Sequence, residues 1–270
     1  MSIKTLNKKA RKSQRGYWSG SISLLVLGLC LPVSLGIING LAQLLFERPQ
    51  VSGVLFATWE HLPGIISASL AAALLFTSAL LICSLKMGEF AWYYGGSKRQ
   101  TRNSKWVTFW CKPTQMIHAF GLVTSVFLRK IMWLLALILP AAVLGGGTFY
   151  ISANSGLDPR LLMVLLGGAA LLLICGVYAW LWVIQRYTLV YWIAVCYPTK
   201  STKKTIAMSI EKMEECHGFS LWLSMRCLFF APLAIFALPL LWIIPYVKQR
   251  RALWAYEIIE GNREDKNVPL

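Results

Sequence analysis

The chain has 270 residues, 57% of them hydrophobic and only 14% charged, with a mean hydropathy of +0.57. A soluble domain carries about 45–50% apolar and about 25% charged residues. Here the apolar residues fall in long runs, which excludes a disordered chain, a coiled coil and an ordinary soluble α/β enzyme, and makes lipid the expected solvent.

Lys and Arg number 27 against 11 Asp and Glu, a formal charge of +16. Beside membrane spans this excess reads as positive-inside topology and contact with anionic headgroups, not as nucleic-acid binding. Residues 1–16 hold six basic residues and no acid. They read as a basic cytoplasmic tail, with the interfacial aromatics Tyr17 and Trp18 directly behind. The first span is expected over residues 20–45, kinked at Pro32. Its apolar run is too long for a signal peptide and lacks a small-residue cleavage pattern, so it reads as an uncleaved helix. Residues 46–62 hold Glu47, Glu60 and Arg48 and are placed outside.

The second span is expected over 63–85, where Ser67, Ala68, Ser69, Ala71, Ala72 and Ala73 would allow close helix packing. Residues 86–116 carry Lys86, Lys98, Arg99, Arg102, Lys105 and Lys112 against Glu89 alone. Trp92, Tyr93, Tyr94, Trp106, Phe109 and Trp110 interleave with these charges. The segment reads as a long cytoplasmic loop lying on headgroups; base stacking is the weaker reading. The third apolar stretch, 117–151, has 35 residues and is divided by Arg129 and Lys130. It reads as an amphipathic lead-in over 115–130 and a span over 131–151, loosened by Pro140 and by Gly145, Gly146 and Gly147. Residues 152–160 form an outside loop. The fourth span, 161–184, is expected to continue as helix to Tyr197, with Gly167 and Gly168 as a packing face and Pro198 as its stop.

Residues 199–217 are cytoplasmic again, with Ile206, Ile210 and Met213 on one helical face. The last apolar stretch, 219–247, is divided by Pro232, Pro239 and Pro245. A single crossing there would put Lys248, Arg250 and Arg251 outside, against the charge rule. A hairpin turning near 237–239 returns them inside, its second arm running on through 253–259. The expected fold is therefore all-α: a polytopic membrane helix bundle of six helices, five being the alternative, with interfacial amphipathic helices and a proline-broken C-terminal hairpin. The domain limits are a basic tail over 1–16, one transmembrane domain over 17–261 and a polar tail over 262–270. The expected location is the cell inner (plasma) membrane, multi-pass, with both termini cytoplasmic.

The stretches 207–233 and 241–259 carry a resemblance, through Ser209, Met213, Gly218, Trp242, Pro245, Tyr246 and Tyr256. They resemble a family of bacterial integral-membrane proteins similar to the membrane domain attached to some glycerophosphoryl diester phosphodiesterases. Residues 133–143 resemble the family's proline-bearing helix, with Ala141 where the family carries Gly. The resemblance implies a six-helix-like membrane fold and brings no catalytic residue with it. The acidic metal-binding motif of the phosphodiesterase domain does not occur in this sequence.

Metal-assisted chemistry needs clustered carboxylates or histidines. No acid is expected mid-span, and His61, His118 and His217 fall at different loops. Glu60 with His61, and Glu214 and Glu215 beside His217, read as surface features. There is no GxSxG, Walker loop or HExxH, and Cys30, Cys83, Cys111, Cys175, Cys196, Cys216 and Cys227 form no CxxC pair. No catalytic residue, metal or cofactor is expected. Arg226 alone lies deep in an apolar run; it either snorkels to the interface or holds an anionic headgroup or Glu89. The candidate anionic-lipid or partner face comprises Arg226, Lys248, Arg250, Arg251, Arg99, Arg102, Lys203 and Lys204. The leading function is a non-enzymatic bacterial membrane protein that binds anionic lipid or a membrane-protein partner, accessory to transport, secretion or envelope homeostasis. A small permease or channel subunit is the first alternative, and a lipid-modifying enzyme the second.

Overall fold

The computed structural model describes residues 3–47, 62–97, 105–155, 158–228 and 237–261. Every regular element among them is helical. In chain order these are α1 (Ile3–Gln14), α2 (Trp18–Glu47), α3 (Leu62–Ser97), α4 (Lys105–Trp110), α5 (Pro113–Ser155), α6 (Pro159–Ile184), a 3₁₀ turn (Gln185–Tyr187), α7 (Val190–Cys196), α8 (Thr202–Met213), α9 (His217–Leu228), α10 (Ala237–Tyr256) and a π turn (Glu257–Gly261). Among the described residues, four stretches are long and apolar enough to cross a membrane: Trp18–Ile38, Ala72–Ser97, Pro113–Asn154 and Pro159–Cys196. Val33, Ile37, Leu75, Met132, Phe149, Met163 and Val164 stand exposed along them. Apolar surface on that scale does not face water in a soluble monomer, and it is compatible with a multi-pass membrane protein.

The helices extend further than the apolar runs do. Residues 3–14, read from charge as a tail, form α1, because Leu6, Ala10 and Gln14 recur at four-residue spacing and are buried,. Gly16, at φ +81°, makes the turn into α2, a left-handed conformation that glycine adopts without strain. Residues 86–97 are not loop but the last three turns of α3. Met87, Ala91 and Tyr94 keep the helical period and are buried, so the turns continue against protein where lipid would no longer hold them,. The lead-in expected over 115–130 is likewise part of one unbroken 43-residue helix, α5, about 65 Å long. Pro32, Pro140 and Pro245 all sit inside their helices. Pro159 opens α6, where its missing N–H costs nothing, and the Asp158 carboxylate accepts from the Arg160 N–H at 3.1 Å,.

The described helices group into two compact units. Unit 1 contains α1 to α4, the start of α5 as far as Gly121, and α10 with the π turn; unit 2 contains the rest of α5 and α6 to α9. The domain expected over 17–261 thus contributes residues to both. The turn of the expected C-terminal hairpin, near 237–239, is the first turn of α10, which begins at Ala237; residues 229–236 before it lie outside the described residues.

In unit 1, α2 and α4 pack on α3, while α1 and α3 pack on α10. Leu6, Met87, Tyr93, Trp110, Ala252 and Trp254 form its core. Polar contacts fix the register. Gln14 Nε2 donates to Ser21 Oγ at 2.7 Å, Ser13 Oγ to the Gly96 carbonyl at 2.9 Å, and Tyr94 OH to Glu260 Oε1 at 3.0 Å. Trp18 and Trp242 meet with ring centroids 5.0 Å apart.

In unit 2 the helix expected to run unbroken to Tyr197 gives way to the 3₁₀ turn at Gln185–Tyr187 before α7. Gln185 and Tyr187 are buried at the break while Arg186 is exposed, and side chains complete it. Ser209 Oγ donates to the Arg186 carbonyl at 2.7 Å and Gln185 Nε2 to the Leu181 carbonyl at 3.3 Å, so these backbone carbonyls keep partners at the break, while Ser220 Oγ donates to the Gln185 side-chain Oε1 at 2.8 Å,. The close approach of α5 and α6 is at Gly176 rather than at Gly167 or Gly168. A Cβ built on Gly176 would lie 2.5 Å from the Leu137 carbonyl oxygen, whereas one on Gly167 meets nothing within 4 Å. In the second span, the described members of the small-residue run, Ser69, Ala72 and Ala73, are exposed.

These distances set opposite signs for the same substitution. Gly176→Ala forces backbone apart and should destabilise by about 1–3 kcal/mol, whereas Gly167→Ala should be neutral or stabilise by up to about 1 kcal/mol through helix propensity. Thermal unfolding in detergent, followed by tryptophan fluorescence, reads both; equal shifts would mean that α5 and α6 do not touch at Gly176.

Candidate functional site

Three features of unit 1 bear on ligand binding. The first is the outer face of α1. With Leu6, Ala10 and Gln14 turned inward, Lys8, Lys9, Arg11, Lys12 and Arg15 are exposed, and α1 has no acidic residue. The second is an ion pair between Glu89 of α3 and Lys248 of α10, which joins Oε1 to Nζ. Glu89 is only 20% exposed, and it lies within the stretch Ala72–Ser97 that can cross a membrane. An ionised carboxylate there needs a cation, and Lys248 supplies it. Glu89 was one of the two partners weighed for Arg226.

The third is a cavity of about 280 Å³ lined from three helices. Leu24, Leu25, Leu27 and Gly28 come from α2, Ile82, Leu85, Lys86 and Glu89 from α3, and Ile244 and Lys248 from α10. Residues 82, 85, 86 and 89 follow the helical period, so they form one wall about 10 Å long. The charged groups gather at one end of that wall and the apolar groups fill the rest.

The candidate basic residues are placed as follows. Lys248 holds Glu89; Arg251 is half-buried, and Arg250 is buried at 4% exposure. Arg250 is thus a packing residue of unit 1 and does not present its side chain to a headgroup. Lys203 and Lys204 are exposed on α8 in unit 2. Arg226 belongs to α9, but its side chain, with Arg99 and Arg102, lies outside the described residues. The structure therefore carries Lys248 and Arg251 on one helix, turns the basic N-terminal segment into a helical face, and adds Lys86, which the sequence alone does not put forward.

The two described histidines are engaged in packing, and His61 lies outside the described residues. His217 is buried and stacks on Trp182 with centroids 5.8 Å apart, and its Nδ1 lies 3.3 Å from the Glu214 carbonyl. His118 stacks on Trp110 at 6.4 Å. Burial first, and the Glu215 carboxylate second, push the Cys216 thiol up, which leaves little reactive thiolate near neutral pH. No group of three or more His, Cys, Asp or Glu among the described residues is placed to hold a metal ion. No protein-family model, curated protein or solved structure matches the chain.

The ion pair is open to a charge-swap test. Glu89→Lys and Lys248→Glu should each destabilise the protein by about 1–3 kcal/mol, since each leaves like charges facing one another in a half-buried site. Combining them should recover most of that loss, as coupled neighbours do. A double variant no more stable than the two single losses added together would show that the pair carries no net attraction.

Proposed function

We propose that the chain is a non-enzymatic bacterial inner-membrane protein whose basic side binds anionic lipid or the acidic surface of a membrane partner. The observation that carries this reading is α1: four exposed cations, Lys8, Lys9, Arg11 and Lys12, on a helix that is locked to membrane helices through a buried stripe, with Arg15 exposed directly behind it. A Lys or Arg held near an anionic surface contributes about 1 kcal/mol, and the docked helix supplies four without ordering a loose tail. Lys203 and Lys204, exposed on α8, extend the reading to unit 2. The resemblance of residues 207–233 and 241–259 to a family of bacterial integral-membrane proteins supports the membrane fold in this reading and brings no activity with it.

In this reading six helices cross or enter the bilayer, with α9 and α10 as the arms of the C-terminal hairpin and both termini in the cytoplasm. The three basic residues Lys248, Arg250 and Arg251 support that orientation through the positive-inside rule. A reporter fused at residue 270 should then read cytoplasmic; a periplasmic C-terminus would leave five spans and remove the hairpin.

Native mass spectrometry of the detergent-purified protein tests the binding. Titration with phosphatidylglycerol should leave several lipids attached, and phosphatidylcholine fewer. Replacing Lys8, Lys9, Arg11 and Lys12 with Gln should lower the number of phosphatidylglycerol molecules retained while insertion persists. An unchanged number would show that these charges only set topology.

A further inference from the structure

We propose that the cavity among α2, α3 and α10 seats a bilayer phospholipid whose zwitterionic headgroup carries a primary ammonium, recognised by the ion pair of Glu89 and Lys248. The proposal needs unit 1 to lie in a membrane. It goes beyond the anionic-lipid reading of α1 and does not depend on it.

The ion pair stands in the cavity wall. Leu85 and Glu89 are one turn apart on α3, Ile244 and Lys248 are one turn apart on α10, and all four line the cavity,. On each helix an apolar side chain is followed by a charged one, and the two charges meet. Leu27 of α2 and Ile82 of α3 also line the cavity and are exposed. The cavity therefore opens on the surface that lipid tails cover. An amphipathic molecule from the bilayer fits it with its chain along the apolar walls and its headgroup at the pair. A volume of about 280 Å³ lies just under the range of about 300–1,000 Å³ typical of small-molecule pockets and suits one chain rather than two.

The pair sets the chemistry of the headgroup. Its contact joins Lys248 Nζ to one carboxylate oxygen, Oε1. A carboxylate accepts at two oxygens and an ammonium has three donors. The Glu89 side chain keeps 20% of its surface and that of Lys248 keeps 37%, so each can make a further hydrogen bond at the cavity they line. A headgroup with a phosphate and a primary ammonium meets each with its opposite: its N–H donates to Glu89, and its phosphate oxygen accepts from Lys248. Four charges then alternate in sign, and all of them keep charge-assisted hydrogen bonds at the margin of an apolar space. A choline headgroup has the same net charge but no N–H to donate. A glycerol headgroup brings its phosphate beside Glu89 with no cation to offset the repulsion. Lys86 lines the same end and is engaged by contacts of its own, so the selection falls to the pair.

The test uses the full-length protein in detergent and lysolipids of equal chain length, with retention counted by native mass spectrometry. One lysophosphatidylethanolamine should be held about tenfold more tightly than lysophosphatidylcholine, the size of one charged hydrogen bond. The N,N-dimethyl analogue, which keeps one N–H, should bind more like the first than the second. Gly28→Leu should abolish the tight retention by filling the cavity; a Cβ at Gly28 meets no atom within 4 Å, so the helix itself accepts the change. Glu89→Gln should level the two headgroups while the chain still binds. Glycerophosphoethanolamine, which has no chain, should fail to displace the lysolipid. The four-Gln variant of α1 should keep the single tight lysolipid, so a failure of the α1 face and a failure of the cavity give different spectra. Should either cavity variant fail to fold, lysophosphatidylethanolamine with a diazirine in its chain must label wild type on α2, α3 or α10 at the cavity. Equal retention of both headgroups by wild type, wild-type retention by a folded Gly28→Leu protein, a preference that survives Glu89→Gln, displacement by the chainless headgroup, or labelling confined to other helices would each overturn the proposal.

Discussion

A carboxylate near the end of an apolar helix must reach water or meet a cation, and unit 1 is organised around that requirement. Glu89 lies on the part of α3 that has left the most apolar run but is still packed by neighbours, and Lys248 of α10 answers it. This contact fixes the rotation of α10 about its own axis. Gln249 is then turned to donate to Ser97 Oγ at 3.3 Å, Trp242 to meet Trp18, and Tyr256 to lie 5.9 Å from Tyr94. Ala252 and Ala255, both without exposed surface, let α10 approach its neighbours closely,. The same rotation buries Arg250, which follows Gln249 in sequence but has no outward face left to occupy. Of the three cations, Lys248 is held by Glu89, Arg250 is buried and Arg251 is half-buried.

Unit 2 solves a different problem, that of a helix interrupted where water is scarce. Between Ile184 and Val190 the regular ladder lapses, and every freed carbonyl is a debt in a low-dielectric interior. Gln185 answers with both ends of its amide: Nε2 donates to the Leu181 carbonyl, and Oε1 accepts from Thr188 and Ser220. Ser209 closes the Arg186 carbonyl from α8. The short helices α8 and α9 are therefore joined to the break through hydroxyls as well as through Ile206, Met213 and Leu223. A hydrogen-bonded polar cluster of this kind specifies one arrangement where apolar packing alone would allow several.

The long helices were legible in the sequence because an apolar run registers directly as span length; their ends were not. The last turns of α3 are written in Met87, Ala91 and Tyr94, a period that survives after the hydropathy has fallen, among charges that suggest a loop. In α1 the stripe of Leu6, Ala10 and Gln14 is narrower than the cationic face around it, so charge masks periodicity. Gly176 could not be told from Gly167 or Gly168, since what a glycine does depends on the atom opposite, and the Leu137 carbonyl is set by helix register. The break at 185–187 contains neither Pro nor Gly and is stabilised by a serine 23 positions beyond Arg186. The basic face was legible as composition, but the buried Arg250 and the lysine that joins the cavity, Lys86, are matters of rotation about a helix axis. Ser209, Met213, Trp242 and Tyr256, which carry the family resemblance, all sit in packing contacts, which is how short apolar motifs recur without any shared chemistry.

Unit 1 is assembled from the two extremes of the chain, and this gives its biogenesis an order. Glu89 and Lys248 are separated by 159 positions, and Tyr94 and Glu260 by 166. At about 5–20 residues per second of synthesis, Glu89 waits about 8–30 s for its cation. Throughout that interval α2 and α3 are inserted while the platform that will cover Met87 and Tyr93 is unfinished, and all of unit 2 is made in the meantime. The stretch that carries α10 is therefore the piece that completes the first helices, and synthesis that stops before it leaves Glu89 without its cation, a ready signal for the quality-control proteases of the membrane.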